Sequence, residues 1–431
     1  MRHIYVHVPF CRRRCSYCDF SIAVRKEVPA AGFVADIRKE RELRVERGEW
    51  DDGPLETLYL GGGTPSLLPP EQLKQLAQLF DVSGDPVLEG TQSSIASQAS
   101  RGRVKTPGAG SKRSRLSQID SPPTVLPHNE VTLEANPDDV TSAAVRSWVE
   151  AGITRVSLGV QSFNPRILSW MHRSHTVQQT HSASGNLKQP GAISVSLDLI
   201  FGLPEQLRHD FRHDLELALE LHPDHLSVYG LTVEPRTPLA RWISRGSTVI
   251  ATEGRWADEF LLAHDTLVAA GYEHYEVSNY ARPGQRAVHN RAYWSGMPYA
   301  GLGPSAHRFD GDTRRWNVAP WAEYHRRMSA QQDPTAECET LNAEQRRLED
   351  VYLALRTSAG LSVEEIAELN QPMVRRAIEM GWMERVVVPG INPQLPCEGG
   401  EAGAARLRLT PRGWLRLDAI IPALTTSAQG G

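Results

Sequence analysis

Three cysteines stand close together near the start of the chain, in the run Tyr5-Val-His-Val-Pro-Phe-Cys11-Arg-Arg-Arg-Cys15-Ser-Tyr-Cys18-Asp-Phe20. Thiolate is a soft ligand that suits zinc or iron–sulfur centres. A structural zinc site closes with four ligands, usually as two C-x2-C pairs. No fourth cysteine is near, because the other two of the five are Cys338 and Cys397. Three thiolates on a [4Fe-4S] cube leave one iron open, which is what chelation of a small molecule requires. Zinc completed by a distant histidine, or plain surface thiols, are the alternatives. Arg12, Arg13 and Arg14 place positive charge beside the cysteines and are expected to ease thiolate formation. A tight, odd-numbered cluster is unlike a secreted disulfide framework and points to a reducing compartment.

Further polar residues follow at intervals. In Gly61-Gly62-Gly63-Thr64-Pro65 the glycines let backbone groups approach a ligand, and Thr64 adds a hydroxyl. A tight turn alone would read the same way. Glu134, in Glu134-Ala-Asn136-Pro137, could bind ribose hydroxyls or an ammonium, or serve as a cap. Gln161 ends Gly159-Val-Gln161, and Arg173 and His175 come soon after. Asp198 begins Asp198-Leu-Ile-Phe-Gly202-Leu-Pro204, where it could face a ligand or cap the turn at Gly202. Last comes His289-Asn290-Arg-Ala-Tyr293-Trp294. Imidazole is a good axial iron ligand, and Tyr and Trp offer flat faces to a porphyrin. The chain has fifteen histidines, so a lone one is ordinarily a core or surface residue.

Elements that would position these residues can be read from the apolar pattern. Short β-branched and leucine-rich runs at residues 4–8, 57–60, 131–135, 155–160, 194–200 and 226–231 read as strands. Helical spacing recurs at 32–48, 71–80, 142–151 and 210–221. Repeated β-then-α order predicts a parallel sheet with helices outside, and six units predict an incomplete, TIM-like (β/α)6 barrel. Ligands of such folds sit at the carboxyl ends of the strands, where most of the motifs fall. This core spans residues 1–280. Within it, 84–127 has no period and is rich in Ser, Gly, Pro, Lys and Arg, so it reads as a disordered surface insertion. Residues 281–340 read as a connecting segment carrying the His289 motif. From 341 to 431, helices at 344–356, 362–369 and 371–380, a strand at 406–409 and a terminal helix at 411–423 suggest a small winged-helix-like α+β domain.

The bulk numbers narrow the function classes. The chain has 431 residues, 40% hydrophobic and 23% charged, with a formal net charge of -4. No basic excess argues for nucleic acid. No apolar run approaches the roughly 20 residues of a membrane-spanning helix. The opening MRHIYVHVPFC lacks the apolar core of a signal peptide, so a cytoplasmic location is expected.

Cys11-x3-Cys15-x2-Cys18 resembles the signature of the radical-SAM superfamily. Tyr5-x-His7-x-Pro9-Phe10-Cys11 and Cys18-Asp19-Phe20 are similar to the branch that holds oxygen-independent coproporphyrinogen III oxidases and haem chaperones of the HemW type. The resemblance runs to the C-terminus apart from the insertion. It implies a [4Fe-4S] cluster on Cys11, Cys15 and Cys18, with S-adenosylmethionine bound against it and cleaved by one electron to a 5′-deoxyadenosyl radical. It implies that Gly62, Gly63 and Thr64 meet the methionyl amino group. Glu134, Gln161, Arg173 and Asp198 would form a polar wall, with Arg173 on the cofactor carboxylate, and Tyr5 and Tyr17 would pack nearby. The oxidases carry a further cysteine two residues after the third and a longer N-terminal arm. Here that position is Phe20, and ten residues precede Cys11. H-N-x-x-Y-W resembles the chaperones and implies haem contact at His289. The reading is therefore a chaperone that hands haem to haem-dependent membrane or respiratory proteins. Conversion of coproporphyrinogen III to protoporphyrinogen IX is the alternative. A flavodoxin or ferredoxin would donate electrons, and a homodimer is compatible with the sequence.

Overall fold

Six parallel strands form where the apolar runs predicted them: His3–Val8, Thr57–Gly62, Glu130–Ala135, Arg155–Gln161, Ser194–Phe201 and His225–Gly230. This is a computed structural model describing residues 1–50, 53–82, 129–189, 193–388 and 404–425. The predicted insertion at 84–127 lies outside the described residues. The strands lie side by side in chain order, each neighbouring pair parallel. Helices Ala30–Glu46, Pro70–Leu79, Ser142–Glu150, Val177–Lys188 and Phe211–Glu220 lie between them in sequence. The expected α/β barrel is thus present, and it is open. Ala300–Leu302 extends it beside the first strand, and Asn279–Ala281 and Glu273–Glu276 extend it antiparallel beyond the sixth.

Period-two alternation sorts the strand residues onto two faces. Leu58, Leu60, Leu133, Val156, Leu158, Leu197, Leu199 and Leu226 are buried in the core with apolar residues of the crossover helices, such as Phe33, Ile37, Leu73, Leu76 and Trp148. Their alternates Tyr59, Glu134, Ser157 and Asp198 face the concave side and are left for the site.

Residues 281–340 do not merely connect. They build helices Val288–Trp294 and Trp321–Ser329, a strand of the main sheet, and a three-stranded sheet of His307–Phe309, Thr313–Asn317 and Thr335–Thr340. Glu40 on the first helix locks this segment to the barrel. Its carboxylate accepts from Arg44 Nη2 (3.1 Å), Asn317 Nδ2 (2.7 Å), the Tyr324 hydroxyl (2.7 Å) and the Gly303 N–H (2.9 Å). Glu40 is fully buried. Removing one member of such a network strands the others, so Glu40→Ala should lower unfolding free energy by about 3–5 kcal/mol. Urea denaturation checks this, and an unchanged midpoint would refute the locking role.

The C-terminal part carries the helices and the last strand read from the sequence, with two strands that were not read, Leu361–Ser362 and Met383–Val388. Helix Ala343–Leu355 leads to the short strand Leu361–Ser362, helices Val363–Ala367 and Gln371–Glu379, and the antiparallel strands Met383–Val388 and Ala404–Leu409. The terminal helix is divided into Pro411–Trp414 and Leu417–Thr425. Trp414 is pinned where the first piece ends, its indole N–H donating to Leu355 O at 2.9 Å.

Candidate functional site

A cavity of about 470 Å³ opens at the carboxyl ends of the barrel strands. Its rim is the cysteine loop. Phe10–Cys11 pairs in parallel with Ala23–Val24, which closes the neck of the loop. The middle is held by Ser16, whose N–H donates to Met171 O (3.1 Å) and whose carbonyl accepts from Leu239 N–H (2.9 Å). Cys11, Cys15 and Cys18 are partly buried free thiols, and all three line the cavity. Among the described residues, no three His, Cys, Asp or Glu side chains gather closely enough to share one metal ion. A cube asks for less, since each thiolate need only reach a different iron.

The electrostatics of the loop differ from the sequence expectation. Burial pushes the Cys18 thiol up to about 11, although a backbone hydrogen bond from Phe20 opposes the shift. Burial also raises Cys11, against the lowering influence of Thr64, Arg173 and Arg14. The arginine run therefore does not make ready thiolates at these two positions. Arg12 is drawn away to Asp139 (2.5 Å), and Arg13 donates to Arg173 O (3.4 Å). Arg14 donates to Cys18 O (3.2 Å), and burial outweighs its charge.

The glycine turn fits tightly under the loop. A Cβ on Gly63 would lie 2.7 Å from Phe10 O, 2.9 Å from Val8 O and 3.0 Å from Cys11 Sγ. Gly62 has φ +112°, a conformation open to glycine. Thr64 Oγ1 lies 3.5 Å from Cys11 Sγ. Glu134 braces the turn from the next strand, accepting from Gly62 N–H (2.9 Å) and the Tyr59 hydroxyl (2.8 Å).

Gln161, Arg173 and Asp198 line the same cavity. Gln161 ends its strand with φ +68°, where the pairing register with the next strand shifts. A non-glycine residue held in that region marks a position the surroundings dictate. Asp198 accepts from Ser157 Oγ (2.9 Å), and burial, aided by Glu134, pushes its carboxyl up to about 7. It does not cap the Gly202 turn, because Glu259 accepts that N–H at 2.7 Å. Arg173 Nη2 donates to Asn136 Oδ1 (2.5 Å) and Gly159 O (2.8 Å), and Nη1 points at Cys15 Sγ (3.6 Å). Its Nε is buried and has no partner among the described residues. Tyr17 lines the same cavity.

Two predicted residues lie elsewhere. Tyr5 faces a neighbouring cavity of about 950 Å³, lined also by His7, Tyr293, Trp294 and His307. Tyr59, its register partner on the adjacent strand, lines the smaller cavity. His289 does not reach either cavity. It is 1% exposed, and its ring sits between Thr57 Oγ1 (2.7 Å) and the Tyr293 hydroxyl (2.9 Å). Burial pushes it down to about 3, so it is neutral. Both ring nitrogens are engaged, and the ring stacks under Tyr59 at 5.1 Å and meets Tyr293 edge-on. The sequence reading also missed Ser157 and Tyr229 among the lining residues. Their alternation with buried apolar neighbours was the available signal. Asp19, Phe20 and Ile22 line both cavities, so the two spaces adjoin.

Comparison with known proteins agrees with this geometry. Residues 5–218 match the Radical SAM superfamily. The chain is 31% identical over 368 residues to the heme chaperone HemW of Bacillus subtilis, covering 85% of this chain and 86% of that protein. It is 33% identical over 424 residues to the heme chaperone HemW of Mycobacterium tuberculosis, covering 98% and 94%. Among solved structures, coproporphyrinogen III oxidase (HemN) from Escherichia coli, a radical SAM enzyme, superposes with a TM-score of 0.70 at 18% identity, covering 98% of this chain and 90% of that one.

Proposed function

Because the chain belongs to the radical SAM superfamily, and within it to the family of the heme chaperone HemW, we propose that it is a haem carrier whose smaller cavity holds a [4Fe-4S] cluster and S-adenosylmethionine. The observation that carries the cofactor part is the composition of that cavity. Three thiols occupy one side, and Glu134, Gln161, Arg173 and Asp198 occupy the other. The donor set suits a cube with one iron left for the nucleoside's amino acid moiety. The orphaned Nε of Arg173 suits a carboxylate, and at Gly63 the glycine turn packs directly under the cysteine loop. When bound, the pair supplies one-electron chemistry at the sulfonium.

What the chain itself does is orient and shield. Thr64 and Arg173 fix Cys11 and Cys15 from the barrel side. Glu134 holds the turn, and Asp198 with Ser157 offers acceptors for ribose hydroxyls. Tyr17 and Tyr59 close the walls. Haem passes from this chain to haem-dependent membrane or respiratory proteins, and a flavodoxin or ferredoxin serves as electron donor. We place the protein in the cytoplasm. No helix among the described residues is long and apolar enough to cross a membrane.

Coproporphyrinogen decarboxylation is the competing reading. Phe20, 56% exposed at the junction of the two cavities, puts an inert ring where the oxidases have a thiol. Reconstituted protein incubated anaerobically with S-adenosylmethionine, a reductant and coproporphyrinogen III should yield no protoporphyrinogen IX, and should take up haem with a Soret band. Turnover to protoporphyrinogen would overturn the carrier reading.

A further inference from the structure

The larger cavity has no role in holding the nucleoside, yet it adjoins the cysteine loop. Its volume of about 950 Å³ is that of a seat for a large ligand rather than a crevice. Tyr5, Phe20, Tyr293, Trp294 and Tyr299 give it flat apolar walls. Two imidazoles line it, His7 and His307. His7 is buried, with its ring nitrogens engaged by the Tyr5 hydroxyl (3.1 Å) and Ser21 O (3.1 Å). His307 is exposed on the strand His307–Phe309, and no hydrogen bond to its ring nitrogens occurs among the described residues. Its plane is set by stacking on Trp316, its partner across the strand pair, at 5.6 Å and 23°. A ring held in plane with its nitrogens free is what an axial iron ligand needs.

We propose that this cavity is the haem seat and that His307, not His289, supplies the axial imidazole. The proposal rests on the haem-carrier reading and adds the site. The aromatic walls take the macrocycle. Arg14 and Arg236, exposed at the margin, face the two propionates. Arg314 is less available, because it is paired with Glu349 at 2.5 Å. Partial desolvation and the nearby Arg314 charge lower the affinity of His307 for a proton. Phe20 and Ile22 separate the haem edge from the nucleoside cavity.

Haem titrated into the reconstituted full chain tests this, read by the Soret band and, after reduction, by the iron–imidazole stretch in resonance Raman spectra. His307→Ala, at an exposed position, should weaken binding about tenfold or more and abolish the iron–imidazole stretch of the reduced complex, with free imidazole restoring it. Arg236→Glu should weaken haem several-fold and leave haem dimethyl ester unaffected. If the wild-type chain binds haem and His307→Ala matches it in affinity and iron–imidazole signal, the seat proposal fails while the carrier reading stands. Retention of the signal in His307→Ala with its loss in a folded His289→Ala chain would also overturn it. Failure of the wild-type chain to bind haem would remove the carrier reading and this proposal together.

Discussion

Cys15→Ala should strip the chain of iron, from about four atoms per chain after anaerobic reconstitution to close to none. Cys15 is the middle ligand of the loop and the thiol toward which Arg173 Nη1 points. Its neighbours Cys11 and Cys18 belong to segments tethered separately, one by the strand pairing with Ala23–Val24 and the other beyond Ser16. Two thiolates cannot hold a cube that the polar wall touches only through its cofactor. The broad visible absorbance of the cluster should vanish with the iron. Cys338→Ala is the control, because that thiol is exposed on Thr335–Thr340 and does not line the cavity, and its loss should leave the iron count unchanged. Since burial holds the Cys11 and Cys18 thiols protonated, loading must release protons and should proceed further at about pH 8 than at about pH 6.5. A Cys15→Ala chain that retained four irons would refute the ligand assignment.

Most of the barrel was legible because its strands are apolar on a short period and end at turn residues. The helix Val177–Lys188 was not. Its sequence VQQTHSASGNLK has too few apolar residues to show a face, although the Thr176–Gln179 capping box marks its start. The segment 281–340 hid for another reason. Three-residue strands such as Ala300–Leu302 carry no period of their own and exist because His3–Val8 offers them an edge. Glu40 secures that pairing from a helix more than two hundred residues away in sequence, so nothing local announces it.

The site divides in the same way. Cysteine spacing, the glycine turn and the strand-end polar residues were readable because each role depends on a local motif. The surroundings of His289 were not legible because Thr57, which takes Nδ1, and Glu130, which accepts from its backbone N–H, come from distant strands, while only Tyr293, which takes Nε2, lies within the motif. The arginine run was misjudged because charge was visible in the sequence and burial was not. Burial, not charge, decides the direction at Cys11 and Cys18. The same competition governs the chain's response to acid.

Acidification should unfold this protein earlier than an ordinary barrel, through imidazoles that the fold keeps neutral. His7 and His175 are pushed down to about 4, and His274 and His289 to about 3, in each case chiefly by burial. Burial and Arg155 lower His225 as well. The unfolded chain takes up these protons near 6.5, while the folded chain refuses them until pH reaches about 4 or below. Between those limits the unfolded state binds more protons, so stability is full above about pH 6.5 and falls as pH drops, by up to about 1.4 kcal/mol per pH unit for each group. Asp198 works in the opposite sense. Its carboxyl, held up near 7, favours the folded state at low pH and withdraws that contribution as pH rises toward 7. Raised carboxyls at Glu134 and Glu276 act in the same direction as Asp198. Five imidazoles with wide windows outweigh them, so the urea midpoint of the metal-free chain should fall steeply between about pH 6.5 and 4.5. Asp198→Asn should steepen that fall, because it removes the opposing proton. A midpoint that held constant across this range would mean that the histidine pockets admit water and are not the dry sites described above.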